Sequence, residues 1–279
     1  MNQQERDEVR VRVFSNGGGV QSSAALILSA QGKIDYPIHL WSNVGDDSEH
    51  PASIKYVREV LMPYAKEHGI EFHELRKTRQ DGEQRTLYQE IMRPESNAIK
   101  IPVRMTNGAP GNRSCTVDFK ILVIDKWLKN NGATKEKPAK VGIGISVDEI
   151  QRAGRGKETT YSRREYPLLD LAIRRIDCLE IVREAGLPEP PKSSCYFCPF
   201  HRSQIWAEMR RDEPELFEKA AQIEDRLITR QLSKGRQPVY LTDKARPIRE
   251  AIGAAQQGFW TTEVDDGDGE SCDSGHCFT

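Results

Sequence analysis

The sequence lacks long hydrophobic runs, and its 279 residues carry a net charge of only −1. No apolar stretch approaches the roughly 20 residues that a membrane-spanning helix needs. The first ten residues, MNQQERDEVR, lack the basic start and apolar core of a signal peptide. The near-zero net charge gives no global sign of nucleic-acid binding. We therefore expect a cytoplasmic protein that does not enter a membrane.

Cysteine is also scarce, and the six cysteines are Cys115, Cys178, Cys195, Cys198, Cys272 and Cys277. In a reducing compartment, closely spaced cysteines more often bind metal or do redox chemistry than form structural disulfides. The Cys-x-x-Cys pair at 195–198 lies between prolines, where a tight turn can aim two thiolates at one metal. Cys115 and Cys178 would complete a four-thiolate set that suits an iron–sulfur cluster or zinc. For Cys178 the alternative is a buried small side chain on a helix at 171–185.

The first half of the chain alternates short β runs with helical runs. The predicted strands are 11–14, 38–42, 70–75 and 140–146, and the predicted helices are 20–30, 48–69 and 119–130. This alternation predicts a Rossmann-like α/β fold, a parallel sheet with helices on both faces. After residue 166 the pattern is helix and loop, and the end is acidic and glycine-rich. We predict an α/β domain at 1–165, a helical cysteine-containing extension at 166–262 and a mobile tail at 263–279.

A glycine-rich loop, 15-SNGGGVQSS-23, joins the first strand to the first helix. The free N–H groups and the dipole of a helix N-terminus favour an anion, and glycines let a phosphate approach the backbone closely. The pattern is neither G-x-G-x-x-G nor the lysine-containing P-loop. A tight turn without a ligand is the alternative. The predicted phosphate contacts come from Ser15, Gly17, Gly18, Gly19, Gln21, Ser22 and Ser23.

The loop resembles the pyrophosphate loop of the adenine-nucleotide α-hydrolase (PP-loop ATP pyrophosphatase) superfamily, whose usual form is Ser-Gly-Gly-x-Asp-Ser. Gly17 stands where the first Ser is usual, and Gln21 replaces the Asp. Further segments follow the order of motifs in the phosphoadenylyl-sulfate (PAPS) reductase family, of the type found in phages and bacteria. These segments are 43-NVGDDSEHPAS-53, 113-RSCTVDFK-120, 144-GISVDEIQR-152, 167-PLLD-170 and 186-GLPEPPKSSCYFC-198.

The resemblance implies a HUP-type fold that binds ATP or (phospho)adenylyl sulfate, with Mg²⁺, at the carboxyl ends of the strands. It implies catalytic roles for Lys120 and Glu149. It favours a [4Fe–4S] cluster, with zinc as the alternative. Thr116 stands where the family has a second cysteine ligand of the cluster. Either Cys178 replaces that ligand, or one iron keeps an open coordination site. The implied nucleotide contacts beyond the loop are Asn43, Asp46, Arg152 and Arg155.

The PAPS reductase family carries a nucleophilic cysteine on a mobile tail, and 270-ESCDSGHC-277 offers Cys272 and Cys277 for that role. Two reactions fit the resemblance. In the favoured one, ATP adenylates a substrate, which then accepts sulfur from a thiol or sulfur-donor protein. In the other, a tail thiolate attacks adenylyl sulfate and sulfite is released. A third alternative is a nucleotide- or nucleic-acid-binding module that a metal stabilises and that catalyses no reaction. The basic stretch 152–175 is the predicted nucleic-acid contact.

Overall fold

The computed structural model describes residues 11–79, 81–94, 96–154 and 158–253, and in these ranges five parallel strands form one sheet. The strands are β1 (Arg12–Ser15), β2 (Ile38–Asn43), β3 (Glu71–Arg76), β4 (Ala139–Ile143) and β5 (Ser162–Glu165). Their spatial order is β3-β2-β1-β4-β5. The predicted Rossmann-like α/β sheet is therefore confirmed. The fifth strand comes from the basic stretch, where the sequence analysis predicted no strand.

Helices surround the sheet, and two of them contain a π-helical turn. The helices are α1 (Val20–Ala30), α2 (Pro51–Tyr56, a π-helical turn Val57–Leu61, then Met62–Glu67), α3 (Leu87–Met92), α4 (Ser114–Thr116, a π-helical turn Val117–Ile121, then Leu122–Asn130), a 3₁₀ helix (Val147–Arg152), α5 (Pro167–Asp170), α6 (Arg175–Glu184), α7 (Ser203–Asp212), α8 (Pro214–Leu232) and α9 (Ile248–Ala251). None of the helices in the described ranges combines the length and the apolar character that a bilayer crossing needs.

Alternate residues of each strand face opposite sides of the sheet, and each side has its own helices. On one side Val13 of β1 shares a core cluster with Ile124 and Leu128 of α4. On the other side Phe14 packs with Val20 of α1, and α6 joins the same cluster. The sheet is thus covered on both faces, as the sequence analysis predicted.

The strand order reverses at β1, which lies between β2 and β4. The chain first builds outwards through β2 and β3, and then returns to the other side of β1 to form β4. In parallel sheets a reversal of this kind opens a crevice at the carboxyl ends of the two strands, and ligands bind there. Ser15, the last residue of β1, is in register with Ile143, the last residue of β4. The glycine loop and the segment after β4 therefore begin side by side.

The region after residue 166 packs on residues from the first half of the chain. One core cluster holds Leu87 and Phe119 together with Trp206 and Phe217. The predicted boundary between residues 165 and 166 stays a prediction. Within this region the buried Glu224 of α8 accepts the N–H groups of Leu241 at 2.7 Å and Ile248 at 2.5 Å. These two bonds attach the segment after α8 to that helix.

Burial raises the pKa of Glu224 to about 7. The two N–H groups favour the ionised form and oppose this rise, but burial has the larger effect. We predict that Glu224→Gln lowers the free energy of unfolding by about 1–3 kcal/mol, because one buried N–H group loses its acceptor. A carboxyl with a raised folded pKa stabilises most below its unfolded pKa and loses this contribution as the pH rises towards 7. The advantage of the wild type over the variant should therefore shrink from pH 5 to pH 8.

Urea unfolding followed by tryptophan fluorescence measures both effects. Glu218→Gln is the control, because Glu218 lies on the same helix but is half exposed and pairs with Arg249 on the surface. Glu218→Gln should lower the free energy of unfolding by no more than about 1 kcal/mol at both pH values. Equal losses in the two variants would contradict the role assigned to Glu224.

Candidate functional site

The glycine loop keeps its shape through hydrogen bonds to its own side chains. Gly18 has a left-handed backbone, with φ at 75°. Its N–H donates to Asn16 Oδ1 at 2.8 Å, and the Gly17 N–H donates to Ser22 Oγ at 2.9 Å. Gly19 is the N-cap of α1, and no side chain caps this helix. The N–H groups of its first turn therefore point out of the helix end, as an anion-binding site requires.

A buried histidine lies beneath the loop. His39 of β2 has its Nδ1 3.2 Å from Asn16 Nδ2 and its Nε2 3.2 Å from Ser29 Oγ. Burial lowers the pKa of His39 to about 3, so the ring is neutral. Ser29 Oγ already donates to the Ala25 carbonyl, so Nε2 carries the proton and Nδ1 accepts from Asn16. The sequence analysis missed Asn16 and His39, and the only signal was a polar residue between two apolar ones in β2.

Polar and charged side chains from three segments meet beside the first turn of α1. The Gln21 amide donates to Glu149 Oε2 at 3.4 Å, and its oxygen accepts from Arg175 Nη1 at 3.1 Å. Glu149 forms an ion pair with Arg152 at 2.8 Å, and both side chains are almost fully buried. Three predicted site residues, Gln21, Glu149 and Arg152, are therefore brought together. Arg175 joins them, although the sequence analysis noted it only as a continuation of the basic stretch.

Three buried hydroxyl groups at the same edge of the sheet have no hydrogen-bond partner in the described part of the chain. They belong to Ser15 at the end of β1, Ser42 near the end of β2 and Ser146 after β4. Nearby, a Cβ on Gly144 would lie only 3.6 Å from the Ser22 nitrogen, so the backbone after β4 approaches the helix end closely. Buried polar groups without partners indicate a water, an ion or a ligand that completes the site.

Asn43 and Asp46 lie further along this edge, at the end of β2 and in the loop that follows it. Asn43 Nδ2 donates to Asp46 Oδ1 at 2.7 Å and to Glu74 Oε1 at 2.8 Å. Arg58 and Arg76 bridge the same two carboxylates. Both predicted nucleotide contacts are thus part of an ion-pair network, and their contact with a nucleotide stays a prediction.

The Cys-x-x-Cys segment is attached to the glycine loop. Ser193 lies two residues before Cys195, and its Oγ donates to the Gly17 carbonyl. Cys195 pairs with Glu49 in an antiparallel bridge, and the Cys198 N–H donates to the Cys195 carbonyl at 3.1 Å. The turn predicted for the two cysteines therefore forms, and it sits against the N-terminus of α2 and the glycine loop. The sequence analysis did not predict Ser193.

Lys120 lies in the π-helical turn of α4 and faces a buried carboxylate. Glu49 is 4% exposed, and burial raises its pKa while the charge of Lys120 opposes that rise. Since Glu49 also pairs with Cys195, Lys120 is near the cysteine turn. Its catalytic role stays a prediction, as does that of Glu149. The predicted residues Arg155, Cys272 and Cys277 lie outside the described residues.

The four predicted metal ligands are not assembled as one set. Cys115 and Cys195 pack against the same core cluster. Cys178 packs in another cluster, with Phe14 and Val20 between the sheet and α1. Burial raises the pKa of the Cys178 thiol to about 12, which disfavours the thiolate that binds metal. The described ranges contain no group of three or more His, Cys, Asp or Glu residues that could hold a metal ion. The alternative reading of Cys178, a buried small side chain, agrees with its position.

Comparisons with known proteins give no family for the chain. No family model and no curated protein matches it. A solved structure, the U34-tRNA thiolase NcsA from Methanococcus maripaludis with its [4Fe–4S] cluster, aligns with 79% of this chain and 73% of its own length. The identity is 16% and the TM-score is 0.38. The fold assignment therefore rests on the sheet described above.

We predict that any metal bound by the purified protein depends on the cysteine turn and not on Cys178. Cys195→Ser and Cys198→Ser should lose bound iron or zinc, because a lost thiolate removes a ligand. Cys115→Ser should behave likewise if it is a ligand. Cys178→Ala is the matched control, and it should lower stability by about 1–2 kcal/mol through lost core packing but keep the metal.

Anaerobic purification with elemental analysis and absorption spectra provides the measurement. A broad band near ~400 nm would identify an iron–sulfur cluster. Full metal content in all three serine variants, or loss of metal in Cys178→Ala alone, would contradict this assignment.

Proposed function

We propose that the protein binds ATP with its phosphates on the glycine loop and uses it to adenylate an acceptor that then receives sulfur. An acceptor oxygen attacks the α-phosphorus, the bond to the β-phosphate breaks, and pyrophosphate leaves. Hydrosulfide delivered by a thiol or sulfur-donor protein then attacks the activated carbon of the acceptor. The C–S bond forms as the C–O bond breaks, and AMP leaves. One observation carries the proposal: Ser193 hydrogen-bonds the Gly17 carbonyl, so the cysteine turn adjoins the phosphate loop.

The phosphate site is argued from the helix end and the loop. The N–H groups of the first turn of α1 and the helix dipole favour the leaving pyrophosphate. The lack of a side chain at Gly18 lets the loop backbone pack against Val57 of α2 in the left-handed conformation that this turn requires. The unpartnered hydroxyls of Ser15 and Ser146 at the neighbouring strand ends supply donors for phosphate oxygens. This combination lies at the reversal of strand order, where α/β sheets bind ligands.

Arginine supplies positive charge at this edge. Arg175 reaches the loop through Gln21, and Arg152 lies next to it in its pair with Glu149. A guanidinium can bind two phosphate oxygens at once and stays charged at all relevant pH values. Gln21 stands where the PP-loop has a carboxylate, so the loop itself offers no charged ligand to Mg²⁺. We infer that Arg175 turns from Gln21 to the phosphates when nucleotide binds.

A cluster or zinc ion stays a prediction for Cys115, Cys195 and Cys198. These residues do not form a group able to hold a metal within the described ranges. No step of the proposed reaction therefore passes through a metal. The turn is joined to this region by the backbone bridge of Cys195 with Glu49 and by the bond from Ser193 to the glycine loop.

We predict that Gly18→Ala lowers the affinity for ATP at least ~10-fold while the protein stays folded. The new Cβ would lie 2.8 Å from Val57 Cγ2, and the left-handed φ disfavours any side chain there. The loop would have to move away from its helix end. Isothermal calorimetry measures the affinity, and far-UV circular dichroism checks the fold.

Gly69→Ala is the matched control for this variant. Gly69 has φ at 69°, so it carries a similar backbone strain, but its added Cβ would meet no atom within 4 Å. It follows α2 at the opposite end from the loop. The control should lose about 1 kcal/mol of stability and keep the affinity for ATP. Wild-type affinity in a folded Gly18→Ala protein would remove the loop from the site.

We predict that Arg175→Met reduces exchange of labelled pyrophosphate into ATP at least ~10-fold, because the guanidinium no longer reaches the phosphates. Arg174→Met is the control, since this neighbour is exposed and pairs with Asp177. The assay uses the anaerobic protein with bulk RNA and DNA as acceptors and a thiol donor. Sulfite released from adenylyl sulfate without any exchange would favour the reductase alternative through Cys272 or Cys277. If the protein binds ATP but shows neither pyrophosphate exchange nor sulfite release, the result would favour a binding module that catalyses no reaction.

A further inference from the structure

Two segments of the chain contain no acidic residue, and both carry candidate cysteines. The chain has 42 Asp and Glu residues, yet none occurs in 96–117 or in 190–207. The first segment contains Cys115, and the second contains Cys195 and Cys198. Basic residues occur in both segments, at Lys100, Arg104, Arg113, Lys192 and Arg202.

The two segments meet at one aromatic ring. Phe200 follows the cysteine turn, and two arginines of the other segment lie on it. The Cζ atoms of Arg104 and Arg113 are 5.3 Å and 5.0 Å from the ring centroid. The Cys115 N–H donates to the Lys100 carbonyl at 2.7 Å, which closes the first segment on itself. Residues 100–115 and 192–202 thus form one surface, called here the cysteine face.

Two basic groups on the cysteine face keep their charge available. Arg113 and Lys192 make no ion pair with any residue of the described ranges. Two carboxylates near the face have partners of their own: Asp118 pairs with Lys100 at 2.6 Å, and Glu213 lies 2.9 Å from His50 Nε2. The face therefore has a positive potential although the whole chain is close to neutral.

The basic stretch 152–175 behaves differently. Arg152 pairs with Glu149 at 2.8 Å, Arg163 with Glu158 at 3.5 Å and Arg174 with Asp177 at 3.3 Å. Nearby carboxylates thus pair with three arginines of the stretch that the sequence analysis selected for nucleic-acid contact. In the acid-free segments, by contrast, Arg113 and Lys192 carry charge that no ion pair of the described ranges offsets.

We propose that the cysteine face binds the phosphate backbone of a nucleic-acid strand and holds it beside the thiols. Positive groups spread over two segments suit a polymer with regularly spaced phosphates, and planar guanidinium groups match phosphate oxygens. The absence of carboxylates over both segments avoids repulsion along the strand. The chemistry assigned to this partner rests on the proposed function, since the bound strand would be the acceptor, whereas the binding itself is tested separately.

The test compares two double variants that remove the same charge. Arg113→Gln/Lys192→Gln alters the cysteine face, and Arg163→Gln/Arg174→Gln alters paired arginines of the stretch 152–175. Fluorescence anisotropy measures binding of labelled single-stranded RNA and DNA oligonucleotides over a series of KCl concentrations. The first variant should bind at least ~10-fold more weakly at low salt. The slope of its log affinity against log salt should become less steep, by about 1.4 to 1.8 in magnitude. The second variant should bind as the wild type does.

Comparison of the RNA and DNA arms identifies which strand the face prefers. Equal losses in the two double variants would overturn the proposal, because net charge alone would then explain binding. Failure of the wild type to bind either oligonucleotide at low salt would also overturn it. Competition with polyglutamate is a further test. If polyglutamate at an equal concentration of charges displaces the oligonucleotide, the proposal is overturned, because the face would then fit an acidic polypeptide.

The outcome is separable from that of the proposed function. Arg113→Gln/Lys192→Gln should keep the wild-type calorimetric affinity for ATP, since neither residue contacts the glycine loop. Gly18→Ala should lose ATP but keep the oligonucleotide. Oligonucleotide binding with no ATP binding in the wild type would leave the cysteine face supported and the proposed reaction refuted.

Discussion

The packing of Gly18 between two other segments is the constraint on which the rest of the site depends. A Cβ at this position would lie 2.8 Å from Val57 of α2 and 3.7 Å from the Ser193 hydroxyl. The loop after β1, the π-helical turn of α2 and the cysteine segment therefore meet where only a hydrogen atom fits. The π-helical turn brings Val57 to this point, in keeping with the frequent occurrence of such turns at functional sites.

Buried polar groups hold this contact in one arrangement. The neutral His39 orients Asn16, and Asn16 in turn accepts the Gly18 N–H. On the other side, the buried pair of Glu149 and Arg152 is joined to the loop through Gln21. Taking such groups out of water costs free energy, so they add little to stability. Their hydrogen bonds instead select one geometry of the helix end, which is what an anion site needs.

The distribution of charge separates the two parts of the site. Around the glycine loop, arginines are paired with glutamate or glutamine and lie largely buried. Around the cysteine turn, two segments without carboxylates leave basic groups at the surface. A small, highly charged ligand suits the first environment, because few fixed donors at low dielectric can hold it. A long, flexible polyanion suits the second, where the charges are spread and hydrated.

Much of the sheet and its loop could be predicted from local sequence. The alternation of strands and helices and the glycines after β1 reflect periodicity and backbone freedom, which are properties of short segments. The strand β5 was missed because Ser162–Glu165 contains no apolar residue, and it forms only by pairing with β4. The roles of the candidate site residues stay predictions.

Local sequence could not decide which distant residues meet. The count of cysteines and the Thr116 replacement suggested Cys178 as a fourth ligand, yet α6 packs its cysteine onto the sheet beneath α1. Nothing local indicated that Arg175 would reach Gln21 or that Ser193 would hold Gly17. The sequence by itself determined the parallel sheet and the position of the glycine-rich loop. Only the tertiary structure decided the surroundings of that loop, because helix packing sets contacts between residues more than 150 positions apart.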